Sequence, residues 1–226
     1  MKNSYYILIG LVVFLLFFIG GYNFINSPEE MGPGNYTYVG ARGTFEFVKS
    51  EQGDHWVTWP VKTLITGNIY NIQDWITPFP YGPFELVGIP MNSKYNSPRT
   101  FVRADKVTTV YITRDVYLDE KYKDINPKGG VAIALISLDR IIDKIGIEGI
   151  IASIEDNELV TELDLPVVSC EEDATQESPV IWLMEGDSTK IYNSEMNRYC
   201  IVAEFKEGED PNRVATKLAY NIIGVM

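Results

Sequence analysis

Val107-Thr108-Thr109-Val110-Tyr111-Ile112, a charged stretch from Asp119 to Gly130, and then Val131-Ala132-Ile133-Ala134-Leu135-Ile136-Ser137-Leu138-Asp139-Arg140-Ile141-Ile142-Asp143-Lys144-Ile145 decide the fold of this chain. The first stretch is β-branched and aromatic, the composition of a strand. In the last, Val131, Ala134, Leu135, Leu138, Ile141, Ile142 and Ile145 recur at i, i+3, i+4 and i+7, which places them on one face of a helix. Gly146 is placed to end that helix. The apolar run at 149–154 suits a buried strand. Strand, helix and strand over this length predict a βαβ unit with a right-handed crossover, hence an α/β (or α+β) domain.

Toward the C-terminus the pattern continues. Residues 165–169 and 179–184 read as strands. Glu185-Gly186-Asp187-Ser188 is a turn, from which 189–192 returns, and 200–205 is the last strand. Asp210-Pro211 then opens a helix, with Asp as N-cap and Pro at N1. Its apolar face is Val214, Ala215, Leu218, Ala219, Ile222 and Ile223, and Gly224 ends it. The expected domain is thus a mixed sheet with two main helices.

Toward the N-terminus, 44–48, 56–65 and 68–75 read as strands, with Gly67-Asn68 as a turn between the last two. Thr77-Pro78-Phe79-Pro80-Tyr81-Gly82-Pro83-Phe84 has too many prolines for a helix or a central strand. It predicts a stiff loop. Trp75, Phe79, Tyr81 and Phe84 either fold down onto the core beneath that loop or form an exposed partner-binding surface. Residues 91–98 read as a polar loop.

No charged side chain occurs between Lys2 and Glu29. The run 5–22, YYILIGLVVFLLFFIGGY, is 18 residues long and nearly all apolar. At roughly 1.5 Å per residue it approaches the thickness of a hydrocarbon core. Tyr5, Tyr6 and Tyr22 stand at its ends, where aromatic rings favour the membrane interface. Lys2 precedes the run and Glu29 and Glu30 follow it, so the expected topology is N-terminus cytoplasmic and domain outside. A cleaved signal peptide would have a shorter apolar run and a small-x-small cleavage site, and Gly20-Gly21 is followed by bulky Tyr22. A pilin-like assembly helix would need a basic leader. The expected organisation is a transmembrane anchor at 1–25, a tether at 26–43 and a domain at 44–226, β-rich over 44–106 and α/β over 107–226. The lipid bilayer is the expected partner of 5–22. Asn35-Tyr36-Thr37 fits the N-glycosylation sequon, which makes Asn35 a candidate modification site.

All 31 acidic residues, against 18 of the 19 Lys and Arg, lie after position 28, a formal charge of −13 for that part. A surface so acidic, without a basic stripe, repels phosphate backbones and argues against nucleic-acid binding. Two cysteines, Cys170 and Cys200, are expected to pair in an oxidising compartment. Their spacing is far from C-x-x-C, and His55 is the single histidine, so zinc lacks ligands. Neither a P-loop nor a dinucleotide fingerprint occurs, and no cofactor is expected. Lys128-Gly129-Gly130 before a helix could offer N–H groups to an anion, although glycines there are common without a ligand. A nucleophilic triad would require His55, in Gly53-Asp54-His55-Trp56, which reads as the surface end of a hairpin and has no G-x-S-x-G to accompany it. Carboxylates are plentiful. Glu171-Glu172-Asp173 and the set Asp115, Asp119, Glu120 and Asp124 could attract calcium, but neither matches the EF-hand pattern.

Three features of the C-terminal half resemble uncharacterised archaeal membrane-anchored envelope proteins. They are Leu165-Pro166-Val167-Val168-Ser169-Cys170-Glu171-Glu172-Asp173-Ala174-Thr175, then Pro179-Val180-Ile181-Trp182-Leu183 with Glu185-Gly186-Asp187, then Cys200-Ile201-Val202 leading to Arg213 and Gly224. The resemblance covers 107–226, implies an envelope location and supplies no active site. With few routes to catalysis, the expected role is a non-catalytic binding or envelope-structural module contacting other envelope proteins. The alternative is a carboxylate-based hydrolase of cell-surface material.

Overall fold

The crossover read from the sequence is present in the computed structural model. It describes residues 34–40, 43–58, 77–92, 98, 102, 106–124 and 130–226, which fall within one compact unit, Pro33–Met226. Ten strands are described in chain order: β1 (Gly34–Gly40), β2 (Gly43–Lys49), β3 (His55–Thr58), β4 (Thr77–Phe79), β5 (Met91–Asn92), β6 (Thr109–Arg114), β7 (Glu148–Ser153), β8 (Val180–Gly186), β9 (Lys190–Asn193) and β10 (Cys200–Lys206). The helices are α1 (Tyr117–Lys121), α2 (Gly130–Lys144), α3 (Glu158–Glu162) and α4 (Pro211–Ile223), with a 3-10 turn at Pro83–Leu86. Strand β6 pairs in parallel with β7, and α2 connects them. Among the described residues no helix is long and apolar enough to cross a membrane; the run 5–22 lies outside them.

Helix boundaries follow local chemistry. Asp210 caps α4, its carboxylate accepting from the Asn212 N–H at 2.9 Å, and Pro211 occupies the first turn. Gly224 ends α4 in the left-handed conformation, φ 89°. Gly146, φ 86°, follows α2 as expected, and the Ile147 N–H returns to the Ile142 carbonyl at 3.3 Å. Asn157 caps α3 by accepting from the Val160 N–H at 3.0 Å.

Long-range pairing departs from the expected single sheet. There are two sheets. One is an antiparallel meander, β1-β2-β3-β4, and the other is mixed, in the order β5-β9-β10-β8-β6-β7. The two main helices pack on each other. Helix α4 touches β9 and β10, while its Tyr220 meets Phe47 and Phe79 of the meander at ring distances of 5.8 and 4.7 Å. The helices therefore form a middle layer. This explains why α4 is buried nearly all round, including Thr216, Lys217 and Tyr220, and not only on its predicted apolar face. One core joins Phe45, Phe47, Val57 and Phe79 of the meander to Leu138, Ile142, Leu218 and Ile222 of the helices and to Ile112, Ile181, Ala203 and Phe205 of the large sheet.

Several local readings are corrected. The stretch read as a tether contains β1, paired with β2 from Gly34↔Lys49 to Gly40↔Gly43, because alternating Tyr36 and Tyr38 pack rings against the domain. The proline-rich loop is a short strand followed by the 3-10 turn; among the described residues β4 pairs only with β3, an edge place where Pro78 is tolerated. Residues 189–192 do not return alongside β8, since β10 lies between, parallel to β8 and antiparallel to β9. Residues 165–169 make only one bridge, Ser153↔Val167. The charged stretch from Asp119 overlaps α1. The expected strand at 68–75 and its turn at Gly67-Asn68 lie outside the described residues, as do Lys128 and Gly129.

Cys170 and Cys200 form a disulfide, with Cα atoms 5.4 Å apart. Cys200 opens β10, and Cys170 lies in the loop over the far face of the large sheet. There Val168, Cys170 and Ala174 bury Ala152, Val180 and Val202.

Candidate functional site

The aromatic, proline-rich segment is the natural starting point, and its rings are not presented to solvent as a patch. Phe79 is fully buried against Tyr220. Tyr81 is half-buried; its hydroxyl donates to Asp210 Oδ2 at 2.6 Å and its carbonyl accepts from the Tyr220 hydroxyl at 2.8 Å. Phe84 packs edge-on against Tyr38 at 5.2 Å. Trp75 lies outside the described residues. Of the two fates open to these rings, Phe79 takes burial in the core, while Tyr81 and Phe84 are half-buried against the domain. Burial of a ring of this size is favourable, and the partner that makes it available, α4, lies far along the chain.

The same segment contributes something else. Pro78, Phe79 and Pro80 form one wall of a groove of about 440 Å3 whose opposite wall is the outer side of α2: Ile133, Ile136, Ser137 and Arg140. Gln52 and Asp54 from the β2–β3 turn complete the lining. Ile133 and Ile136 are each 36% exposed, in a helix whose other large aliphatic side chains face the core. Their signal was present in the sequence, because neither belongs to the face defined by Val131, Leu135, Leu138 and Ile142. The groove is apolar along its walls, with a cation and a carboxylate among its polar groups. Among the described residues Asp54 is the one carboxylate in its lining.

A second constellation surrounds His55, which is buried, not at the surface as expected. Its Nδ1 lies 2.6 Å from the Tyr36 hydroxyl and its Nε2 lies 3.2 Å from Glu85 Oε2. The Gly82 N–H donates to that same oxygen at 2.6 Å. This pattern assigns the proton to Nε2, leaving Nδ1 to accept from Tyr36. A side chain at Gly82 would have its Cβ 2.8 Å from both the imidazole and the Tyr36 hydroxyl, so glycine is what lets the chain approach. Hydroxyl, imidazole and carboxylate stand in the order of a nucleophilic triad. Burial, then the Glu85 charge, pushes the Tyr36 phenol well above its ordinary value. The relay ties β1, β3 and the 3-10 turn together.

At the carboxyl ends of the parallel strands, where open α/β sheets bind ligands, charged and aromatic side chains bond to one another. Arg114 donates to the Ala152 carbonyl at 2.9 Å and to Asp119 Oδ2 at 2.7 Å. Tyr122, fully buried, donates to Glu185, which also accepts from Lys121 at 2.8 Å. The acidic loops are likewise engaged in structure. Asp115 accepts from the Tyr117 N–H at 2.9 Å, Glu120 pairs with Lys123, and Asp173 accepts from the Ser169 N–H at 2.6 Å. Among the described residues no group of three or more His, Cys, Asp or Glu could hold a metal ion. Asn35 is exposed on β1, so its sequon faces solvent.

These engaged groups set the pH range of stability. The hydrogen bond from His55 holds Glu85 below the ordinary carboxylate range. Burial pushes Glu185 and Glu204 up, but hydrogen bonds from Lys121 and Tyr122, and from Lys190, Ser188 and Tyr192, outweigh it and leave both lowered. Their stabilisation is present above the unfolded carboxylate value and is lost as pH falls through the folded one. Tyrosines act in the opposite sense. Burial raises Tyr36, Tyr81 and Tyr220, and raises Tyr192 to about 12. Above about pH 10 the unfolded chain releases phenolic protons that the folded chain keeps, so stability falls as pH rises. Denaturant midpoints measured across pH should be highest on a plateau between roughly 5 and 10 and decline on both sides. A midpoint still rising between pH 10 and 12 would contradict this placement of the tyrosines.

No known protein family, curated protein or solved structure matches the chain.

Proposed function

We propose that this chain is a membrane-anchored envelope protein whose α/β domain stands on the non-cytoplasmic side and binds a partner protein without catalysis. The observation that carries the reading is the groove between α2 and β4. Two isoleucines project outward beside two prolines and a buried phenylalanine, and an apolar segment of a partner would cover them. Rigid walls favour such a contact, since Pro78 and Pro80 have little freedom to lose on binding. The Cys170–Cys200 disulfide accords with an oxidising compartment, and the uncharged run 5–22 accords with an anchor.

The test uses a membrane-impermeant, amine-reactive crosslinker on intact cells. The wild-type domain should be captured together with a discrete partner. The variant Ile133→Asp/Ile136→Asp should be captured without it, while keeping a cooperative thermal transition, because both positions partly meet solvent. Failure of the reagent to reach the wild-type domain would overturn the outside topology. Recovery of the same partner by both proteins, or of none by the wild type, would overturn the role of the groove.

A further inference from the structure

Among the described residues β1 pairs only with β2, and no strand pairs with its outer edge. The remaining sheet edges are blunted. β4 is three residues long and carries Pro78, and β5 is two residues long. β7 is met at its carboxyl end by the segment after α3, with the Ser153 N–H donating to the Pro166 carbonyl at 2.9 Å. Natural sheets protect long edges with charge, proline, bulges or a covering element. β1 runs seven residues, Gly34-Asn35-Tyr36-Thr37-Tyr38-Val39-Gly40, with no charge and no proline. Val39 is 78% exposed, and even the inward-facing Tyr36 and Tyr38 are only half-buried.

The order of residues in β1 says what fits that edge. About Thr37 the strand is nearly palindromic: tyrosine on either side, then asparagine and valine, then glycine at both ends. We infer that β1 pairs antiparallel with β1 of a second copy of this chain, about a two-fold axis through Thr37. That register sets Tyr36 against Tyr38 of the second copy, twice, on the inner face. Thr37 meets its own symmetry mate on the outer face, and Asn35 meets Val39. Aromatic pairs and paired threonines are favourable cross-strand neighbours. The arrangement is isologous, as a closed dimer requires, and joins the two meanders into one continuous sheet. The Glu46 side chains beside the axis do not oppose it. Glu46 of β2 lies opposite Thr37, so the two copies of Glu46 are three strand spacings apart, roughly 14 Å. That exceeds the Debye length of about 8 Å at physiological ionic strength. The inference does not involve the groove, whose residues lie on α2, β4 and the β2–β3 turn.

Its test uses the full-length chain expressed in cells. In this register Thr37 lies about 4.5–5.5 Å from its mate, Cα to Cα, which is within disulfide range. The native cysteines are bonded to each other and do not interfere. Under mild oxidation Thr37→Cys should give a covalent dimer on a non-reducing gel, far in excess of a Glu162→Cys control at an exposed position of α3. Thr37→Lys and Thr37→Glu, each alone, should weaken self-association roughly fivefold through like charges on the axis, and their equal mixture should recover it. Dimer yield from Thr37→Cys no greater than from Glu162→Cys, or charge variants that associate as the wild type does, would overturn the inference.

Discussion

Leu138→Asp is expected to leave the domain without a cooperative unfolding transition. Leu138 is fully buried in α2, inside the core shared by both sheets. Truncation of such a leucine to alanine alone costs about 2–5 kcal/mol. Aspartate adds the burial of a carboxylate among apolar side chains, a further several kcal/mol. The sum approaches the total stability of an ordinary domain, about 5–15 kcal/mol. Near-ultraviolet circular dichroism and a thermal scan would read the loss. Leu138→Met conserves volume and should cost less than about 1.5 kcal/mol. A sharp transition for the aspartate variant near the wild-type temperature would show that the middle layer is not a core.

Removal of the disulfide should have the second largest effect. The bond spans 30 residues, and closing a loop of that length stabilises by about 3–4 kcal/mol in the chain-entropy account. It also fixes the segment that covers the far face of the large sheet, through Val168 and Ala174. In the double variant Cys170→Ala/Cys200→Ala the thermal midpoint should fall by roughly 10 °C for a domain of this size. Reduction of the wild-type protein should reproduce most of that fall. A midpoint unchanged by either treatment, or free thiols in natively expressed protein, would refute a stabilising role.

The parts of the fold that local chemistry dictates were legible from the residues. Asp210-Pro211 and Gly224 bound α4 because capping involves neighbours in sequence, and the spacing from Val131 to Ile142 defines the inner face of α2. Strand order was not legible. The placement of β10 between β8 and β9 depends on pairings that no short window contains. The division into two sheets likewise depends on α4 offering Tyr220 to Phe47 and Phe79. Misreading β1 as a tether has a similar cause: its flanking glycines and prolines signal irregular chain, while its tyrosines matter only once β2 and the 3-10 turn are beside them. At the candidate site, the prolines of the 77–84 segment were read as stiffening it, which accords with their place in a groove wall. Its aromatic rings were read as open to either fate, and the core took Phe79. The two outward isoleucines of α2 could have been found as apolar residues off the helix face. The relay from Tyr36 through the buried His55 to Glu85 could not, since its members come from three separate elements.

One helix, residues 211–223, contributes to the burial of side chains from both sheets, Phe47 and Phe79 of the meander and Ile181 and Phe205 of the mixed sheet. A lesion that unwinds it should therefore loosen the two sheets together and not one alone. The domain is expected to melt in a single step, with tryptophan fluorescence and amide circular dichroism following the same curve.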